Sequence, residues 1–308
     1  MTFGFYLFNV DHGQAAAARL PNGRWCIFDA GRSESFSPIQ LIIANEHYRT
    51  KPPWAEKAPW LHTKQPPFRF LKATISHHHS DHLYDYMRLF AASPQFFKTV
   101  ELDKNYIADV LETTSKESFP RVINFFNLYR KWRQTNLISE PIPPNYGAAI
   151  IIEKSIPIRV VRDNIGGQTN SRVNNASIIT RIECYKNSIL ICGDMEEEGW
   201  DFIFNNKLYS MTWKKFVSNV DILIAPHHGH CYSTHLMDLA KPSIVLVSLR
   251  SGDESIDKRY SGEAVSGLNI NGKLYKCITT RKSDHINISI SRPASISEKG
   301  LRSWSGLS

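Results

Sequence analysis

Two short windows, together with one histidine just after the second, contain eight of the twelve histidines in this 308-residue chain. Residues 77–82 read HHHSDH, which contains the pattern His-x-His-x-Asp-His, and residues 227–230 read HHGH, with His235 close behind. Imidazole nitrogens and carboxylate oxygens are ligands suited to zinc, manganese or iron rather than to a thiolate site. The two windows therefore predict a metal site, and the fold must bring them together although about 150 residues separate them.

Three candidate ligand positions follow short apolar or β-branched runs that are typical of buried strands. The runs cover residues 72–76, 188–192 and 221–225, and they lead to His77, Asp194 and His227. Strands that end side by side in a sheet bring such side chains together on a rigid scaffold. We therefore expect the ligands to converge at one edge of a sheet.

The spacing inside the first window divides its residues into two groups. His77 and His79 lie two apart, so in an extended chain they face the same side. Asp81 and His82 follow, just before a helix predicted to begin at Leu83, and they can point to a second metal about 3.5–4 Å from the first. Asp194 can bridge the two. The alternative for Asp81 is a purely structural role as the N-cap of that helix.

The remaining histidines show no such pattern. His78 stands at a variable position of the motif, so we expect it behind the ligands or facing solvent. His12, His47, His62 and His285 belong to no cluster, and we expect ordinary core or surface positions for them.

The motifs together resemble the metallo-β-lactamase fold superfamily, and within it the hydrolase domain of the ComEC competence proteins and its stand-alone relatives. The resemblance spans about residues 3–292. In chain order its motifs are Val10-Asp11-His12-Gly13-Gln14, Phe28-Asp29-Ala30-Gly31, the first histidine window, Asn174-Asn175-Ala176-Ser177, Cys192-Gly193-Asp194 and Pro226-His227-His228-Gly229. The chain departs from the family where Ala15 and Ala16 replace the usual Gly-Asp. These departures leave the metal ligands intact and the identity of the substrate open.

The resemblance implies an α/β fold, a four-layer αββα sandwich in which helices flank two mixed β-sheets. It also implies one or two divalent metal ions, zinc or manganese. The ligands of the first would be His77, His79 and Asp194, and those of the second Asp81, His82, Asp194 and one of His227 and His228. The candidate catalytic residues are Asp81, His230 and Asn175, and the candidate substrate-binding residues are Ser177 and Arg281. Asn175 and Ser177 can equally be structural turn formers.

Composition limits the partners and the compartment. The chain has 37 basic and 29 acidic residues, a net charge of +8, which favours an anionic partner such as nucleic acid. Five cysteines without a CxxC pair favour the reducing cytoplasm. Cys231, three residues after His228, is either a soft ligand or ordinary packing. We expect no membrane span and no secretory signal, because the apolar runs are short and no basic leader precedes the first of them.

The motifs run from end to end without a linker, so we expect one domain over residues 1–308. A Pro- and Trp-rich insertion over 49–70 either contacts nucleic acid through stacking and charge or pins a long loop. Residues 298–308 are polar, and we expect a loose tail.

Residues 105–134 are predicted to be helical, with an interruption at Pro120. The second part, 121–133, is aromatic and ends in basic residues. We expect it to pack on a sheet with its basic end in solvent. The alternative is that this helix, or the 49–70 insertion, binds a protein partner; the oligomeric state is left open.

These expectations describe a hydrolase that acts through a metal-activated hydroxide. The leading substrate is the phosphodiester backbone of DNA, which makes the chain a phosphodiesterase or nuclease. The alternatives are a small phosphodiester, such as a cyclic nucleotide or phosphocholine ester, and then a lactone or thioester. A different class of function is a subunit of a defence or toxin-like module that is active only with its partner.

Overall fold

The computed structural model describes residues 2–11, 13–50, 69–92, 94–135, 149–165, 167–249, 256–291 and 301–307. Most of the 49–70 insertion therefore lies outside the described residues, and so do His12 and His62. The predictions for these positions are not addressed by the structure.

The first of two large sheets is mixed and has seven strands. Their spatial order is β15 (Leu301–Leu307), β14 (His285–Ser291), β1 (Thr2–Leu7), β2 (Ala16–Arg19), β3 (Trp25–Phe28), β4 (Lys72–Thr74) and β5 (Phe96–Lys98). Neighbours are antiparallel from β15 to β3, and β3, β4 and β5 are parallel.

The second sheet is also mixed and has six strands. Their order is β13 (Cys277–Thr279), β10 (Ile244–Val247), β9 (Ile222–Ile224), β8 (Asn187–Ile191), β7 (Ile179–Cys184) and β6 (Ala149–Lys154). The strands from β13 to β8 are parallel, whereas β7 and β6 join antiparallel. A separate hairpin pairs β11 (Leu268–Ile270) with β12 (Lys273–Tyr275).

Helices connect and cover these strands. They are α1 (Pro38–Thr50), α2 (Ser80–Leu83), α3 (Tyr86–Ala91), α4 (Lys104–Thr113), α5 (Phe119–Thr135), α6 (Ile158–Val160), α7 (Thr169–Asn175), α8 (Glu197–Asn205), α9 (Ser210–Val217), α10 (Thr234–Ala240) and α11 (Thr280–Ser283). A π-helical turn continues α6 over Val161–Ile165, and 3-10 turns cover Pro226–Gly229 and Lys258–Ser261. In the part of the chain that is described, none of these helices combines the length and apolar character needed to cross a bilayer.

Alternation along the strands divides the apolar residues between two cores. One core lies between the sheets, where Phe3, Phe5 and Leu7 of β1 belong to the same buried cluster as Ile222 and Ile224 of β9. Residues that alternate with these, such as Leu223 of β9 and Val245 of β10, belong to a second cluster with the buried faces of the helices. Each sheet therefore packs on the other sheet with one face and on helices with the other, and the predicted αββα sandwich is confirmed.

Three predicted boundaries differ from the structure. The break in the 105–134 helix lies between α4 and α5, and Pro120 stands in the first turn of α5, where its missing N–H costs nothing. The helix after the first histidine window begins at Ser80, so Asp81 is inside its first turn and His79 is the N-cap. The C-terminal segment is not loose over Leu301–Leu307, because these residues extend the first sheet by pairing with β14.

A buried ion pair joins the two sheets near their β4 and β6 strands. The Nζ of Lys72 lies 2.9 Å from the Oε2 of Glu153, and the two side chains are only 4% and 3% exposed. The hydroxyl of Thr74 donates to the same carboxylate, and the Nζ of Lys98 lies 3.5 Å from it. Removing the carboxylate would leave the ammonium of Lys72 buried without its counter-charge.

We expect Glu153→Ala to lower the free energy of unfolding by about 3–5 kcal/mol, because an uncompensated buried charge is costly. The matched control is Glu183→Ala, which breaks the half-exposed pair with Arg181 and should cost less than about 1 kcal/mol. Urea denaturation of both variants measures the difference. Equal losses of unfolding free energy in the two variants would contradict the stabilising role of the pair formed by Lys72 and Glu153.

Candidate metal centre

Strand ends from both sheets meet at one edge of the sandwich. Parallel strands β3 and β4 are followed by Asp29 and His77, and parallel strands β8 and β9 are followed by Asp194 and the second histidine window. The amide of His227 donates to the carbonyl of Gly193 at 2.9 Å, which ties the last two segments together. The predicted convergence at a sheet edge is what the structure shows.

The first cluster able to hold a metal ion consists of His77, His79 and Asp194, which offer ligand atoms within 4.8 Å of one another. The Nε2 of His77 lies 3.1 Å from the Nδ1 of His79 and 3.7 Å from the Oδ2 of Asp194. His77 and Asp194 are buried, whereas His79 is partly exposed.

The second cluster consists of Asp81, His82 and His228. The Oδ2 of Asp81 lies 3.6 Å from the Nε2 of His82 and 3.4 Å from the Nε2 of His228. Asp194 stands between the clusters, with its Oδ1 3.3 Å from the Nε2 of His82 and its Oδ2 3.7 Å from the Nε2 of His228. One carboxylate thus faces imidazoles of both groups.

Two atoms at the centre of this arrangement show that it fits a cation. The Nε2 of His82 and the Oδ1 of Asp194 are shielded from solvent and have no hydrogen-bond partner. Buried polar atoms are almost always paired, so two such atoms 3.3 Å apart require an explanation. A divalent cation coordinated by both would satisfy them, and nitrogen and oxygen donors suit zinc or manganese.

Asp29 holds His82 in the orientation that the cluster needs. Its Oδ2 lies 3.0 Å from the Nδ1 of His82 and accepts from the hydroxyl of Ser76 at 2.9 Å. Its Oδ1 accepts from the amide of Ser76 at 2.6 Å, and Gln14 donates to Oδ2 at 3.3 Å. Such a carboxylate fixes the tautomer of an imidazole and leaves the other nitrogen for a metal. The sequence placed Asp29 in a strand-end motif but assigned it no role.

The carboxylates also control protonation of the site. Burial disfavours the charged form of His82, but Asp194, Asp29 and Asp81 together outweigh burial and raise the pKa of this histidine well above its usual value. Burial opposes ionisation of Asp194 as well, yet the imidazoles around it, His82 first, lower its pKa. For His77, burial and the neighbouring His82 lower the pKa well below its usual range. The carboxylate of Asp194 therefore stays ionised and attracts positive charge.

Of the second histidine window, His228 belongs to the cluster with Asp81 and His82, and His227 does not. Both residues have left-handed backbones, with φ of 48° for His227 and 53° for His228, which turns their side chains in different directions. The Nδ1 of His227 lies 3.6 Å from Glu196 and 3.3 Å from the Sγ of Cys231, outside both clusters. Burial and nearby carboxylates, Glu196 first, raise the pKa of Cys231 to about 12, so it stays a thiol. The alternative of Cys231 as a soft ligand gains no support.

His78 is neither beside the ligands nor in solvent. Its side chain is fully buried, with Nδ1 3.0 Å from the hydroxyl of Tyr106 and Nε2 2.7 Å from that of Thr99. The rings of Phe125 and Phe126 pack against it, and burial lowers its pKa to about 3. It is a neutral core histidine that anchors the motif to α4 and α5.

Ser177 and Asn175 lie beneath the ligands rather than at the surface. The hydroxyl of Ser177 accepts from the amide of Asp194 at 3.1 Å and lies 3.4 Å from the Nδ1 of His77. The Oδ1 of Asn175 accepts from the amide of Glu196 at 2.9 Å. Both side chains are fully buried, which favours the structural alternative for Ser177 and Asn175 over contact with a substrate. They position the segment that carries Asp194.

His230 is exposed, and Arg281 is partly buried. The ring of His230 lies 5.8 Å from that of His227 and 6.5 Å from that of His228, on the solvent side of the second window. Arg281 lines a separate cavity of about 450 Å³ whose lining includes none of the residues of the two clusters. The structure therefore brings His230 to the site, but not Arg281.

Gly13 allows the N-terminal motif to pack closely against the backbone of Asp81 in the first turn of α2. Its φ is +127°, and a Cβ at this position would lie 2.3 Å from the carbonyl oxygen of Asp81. Its own carbonyl accepts from the hydroxyl of Ser248 at 2.8 Å. Only glycine combines this backbone conformation with so close an approach.

Comparisons with known proteins give likenesses of architecture. No family model matches the chain, and no curated protein matches it. Among solved structures, the metallo-beta-lactamase fold protein YhfI from Bacillus subtilis is 13% identical, with a TM-score of 0.39 over 82% of this chain and 88% of that one. Zn(2+)-bound PqqB from Methylobacterium extorquens is 10% identical, with a TM-score of 0.36 over 71% of each chain. A metallo-beta-lactamase HARLDQ-motif mutant from Cronobacter sakazakii is 11% identical, with a TM-score of 0.34 over 68% and 70%. No activity or substrate follows from these likenesses.

We expect Asp29→Asn to weaken zinc binding about 10- to 100-fold without unfolding the protein, because the variant keeps the shape but loses the charge that orients His82. The matched control is Asp221→Asn, a buried aspartate at the opposite edge of the second sheet that accepts from the amide of Ser188. Competition titration against a zinc-binding dye measures the zinc affinity of both variants. Equal affinities for Asp29→Asn and the wild type would remove Asp29 from the site.

We expect Gly13→Ala to weaken zinc binding as well, because the new methyl group must push the backbone of Asp81 away from His228. Gly272→Ala controls for backbone strain, since Gly272 also has a positive φ but no atom lies within 4 Å of its would-be Cβ. Both variants lose roughly 1 kcal/mol to strain. Only Gly13→Ala should lose zinc affinity. The same loss in Gly272→Ala would contradict the importance of the close contact between Gly13 and Asp81.

Proposed function

We propose that the chain is a metal-dependent hydrolase of the metallo-β-lactamase superfamily, most similar to the ComEC-like subgroup, and that it cleaves the phosphodiester backbone of DNA. The observation that carries the proposal is the pair of His/Asp clusters at one sheet edge, joined by Asp194. The unpaired Nε2 of His82 and Oδ1 of Asp194 support a cation between them.

The ligand assignment follows from the two clusters. His77, His79 and Asp194 would hold one metal ion, and Asp81, His82, Asp194 and His228 a second. Zinc and manganese both suit this donor set. When bound, such an ion lowers the pKa of water and polarises the scissile group.

The residues of the chain then have separate tasks. Asp29 orients the imidazole of His82, and Ser177 holds both the backbone of Asp194 and the ring of His77. The side chain of Asp81 is 18% exposed, so the substrate would approach from this side of the centre. His230, exposed beside the second histidine window, is the candidate for contact with the substrate or its leaving oxygen.

DNA is the favoured substrate class because the chain is basic, with a net charge of +8 and an isoelectric point near 9.2. The whole chain forms one hydrolase domain in this proposal. A cytoplasmic location agrees with five free cysteines, three of them buried. Burial raises the pKa of Cys26 to about 12, which keeps this thiol unreactive.

We expect the purified protein to cut single- or double-stranded DNA when manganese or zinc is added, and Asp81→Ala to cut more than about 100-fold more slowly. The loss of a ligand should exceed the 10- to 100-fold effect of a residue that only supports one. His235→Ala, which removes an exposed histidine paired with Asp201, should cut like the wild type.

The same assay separates the alternatives. Unchanged turnover in folded Asp81→Ala would contradict the metal-hydrolase assignment. Stoichiometric metal binding by the wild type without DNA cleavage would contradict the nuclease. A chromogenic phosphodiester assay then tests the small-ester alternative.

A further inference from the structure

A positively charged pocket of about 450 Å³ is lined in part by Tyr84 and Asp85, which follow His82 of the second cluster in the chain. Its walls contain three arginines, Arg32, Arg88 and Arg121, and one carboxylate, Asp85, so the lining has a net charge of three minus one, or +2. Tyr84 forms part of the same wall. We call this cavity the arginine pocket.

Backbone hydrogen bonds place the arginine pocket beside the second cluster. The amide of Ala30 donates to the carbonyl of His82 at 2.8 Å, and the amide of Asp85 donates to the carbonyl of Ala30 at 2.7 Å. The segment that ends in Arg32 therefore runs alongside the segment from His82 to Asp85. Tyr84 follows His82 by two residues, which is at most about 7 Å of chain.

Two of the arginines are held by the ring of Tyr84. The guanidinium carbon of Arg121 lies 3.6 Å from the ring centroid, and that of Arg32 lies 5.2 Å from it. Arginine stacked on an aromatic ring keeps its N–H edge available for a phosphate, and the stacking reduces the entropy lost on binding. The pocket is thus built before any ligand arrives.

Asp85, the single carboxylate of the arginine pocket, contacts two of the arginines but leaves the lining with a net positive charge. Asp85 is buried, its Oδ1 lies 2.8 Å from Arg88 and 3.9 Å from Arg32, and the hydroxyl of Ser37 donates to its Oδ2. Arg121 faces the pocket from the first turn of α5, which contains no acidic residue. The N-terminal end of a helix of this length adds partial positive charge at the same place.

We propose that the arginine pocket binds the backbone phosphates of DNA that flank the phosphodiester at the metal clusters. The inference rests on the proposed function and deepens it, because it makes a polymer the substrate rather than a small ester. Each DNA strand carries one phosphate per about 3.4 Å of helix axis, so a strand with one phosphate at the clusters presents others to the pocket. A small phosphodiester at the clusters would have no group to place there.

The test uses Arg32→Gln, Arg121→Gln and the double variant, with Lys215→Gln as the matched control. Lys215 is an exposed residue of α9, which belongs to the helix layer on the second sheet, so this variant loses the same charge elsewhere. Fluorescence anisotropy with labelled single- and double-stranded oligonucleotides, in EDTA so that no strand is cut, gives affinity as a function of salt. Arg121→Lys tests whether a retained charge restores binding.

Each single glutamine variant should bind DNA several-fold more weakly, and the slope of log affinity against log salt should fall by about 0.7 for single strands or 0.9 for duplex. In the double variant the salt slope should fall by about twice as much. Arg121→Lys should keep most of the wild-type slope, and Lys215→Gln should have the same affinity and slope as the wild type. The two oligonucleotides show which form of DNA the pocket prefers. Slopes in both glutamine variants equal to that of Lys215→Gln would overturn the proposal.

The proposed function and this inference fail separately. If the wild type binds DNA through these arginines but cuts none with added metal, the nuclease fails and the pocket stands. If the wild type cuts DNA and the glutamine variants bind and cut it equally well, the pocket fails and the nuclease stands.

Discussion

The centre of this protein is a concentration of buried negative charge that needs a positive partner. Asp29 and Asp194 are almost completely buried on either side of His82, and Asp81 lies close by. Burying ionised carboxylates is costly unless they are paired or coordinate a metal. Without a metal, a second proton on His82 supplies one positive charge; a divalent cation between His82 and Asp194 would replace that proton and supply two. The arrangement of strands, turns and supporting hydroxyls follows from the need to hold these groups together.

The two sheets satisfy that need because each delivers its ligands from the ends of parallel strands. The strands β3, β4, β8 and β9, which lead to the site, are only three to five residues long, and the intervening chain returns through helices on the outer faces. Lys72 lies on β4, the strand that leads to His77, and its pair with Glu153 joins this strand to the second sheet. Glycines at tight approaches, such as Gly13 against Asp81, let neighbouring loops close around the ligands. The same packing holds the segment that leads to Arg32 against the segment from His82 to Asp85, and Arg32 lies over the ring of Tyr84.

Much of this could be predicted from local sequence. The strand-like runs predicted only a mixed α/β fold, the resemblance implied its four layers, and motif spacing placed His79 and Asp81 in two groups. The choice of His228 over His227 depends on two left-handed residues and a backbone contact with Gly193, which spacing does not reveal. The resemblance made Ser177 a candidate for substrate binding, with a structural turn as the alternative, and only the packing of both sheets shows that its side chain is buried. The partnership of Asp29 with His82, 53 residues away, is likewise non-local.

The central claim is that a divalent metal binds between the two histidine windows. Anomalous diffraction at the zinc absorption edge, from crystals of the zinc-loaded protein, tests it most directly. The account predicts an anomalous peak within about 2.0–2.2 Å of ligand atoms from His82, Asp194 and His228, with room for a second peak near His77 and His79. A peak at His227 and Cys231, or no peak at either cluster, would contradict the account.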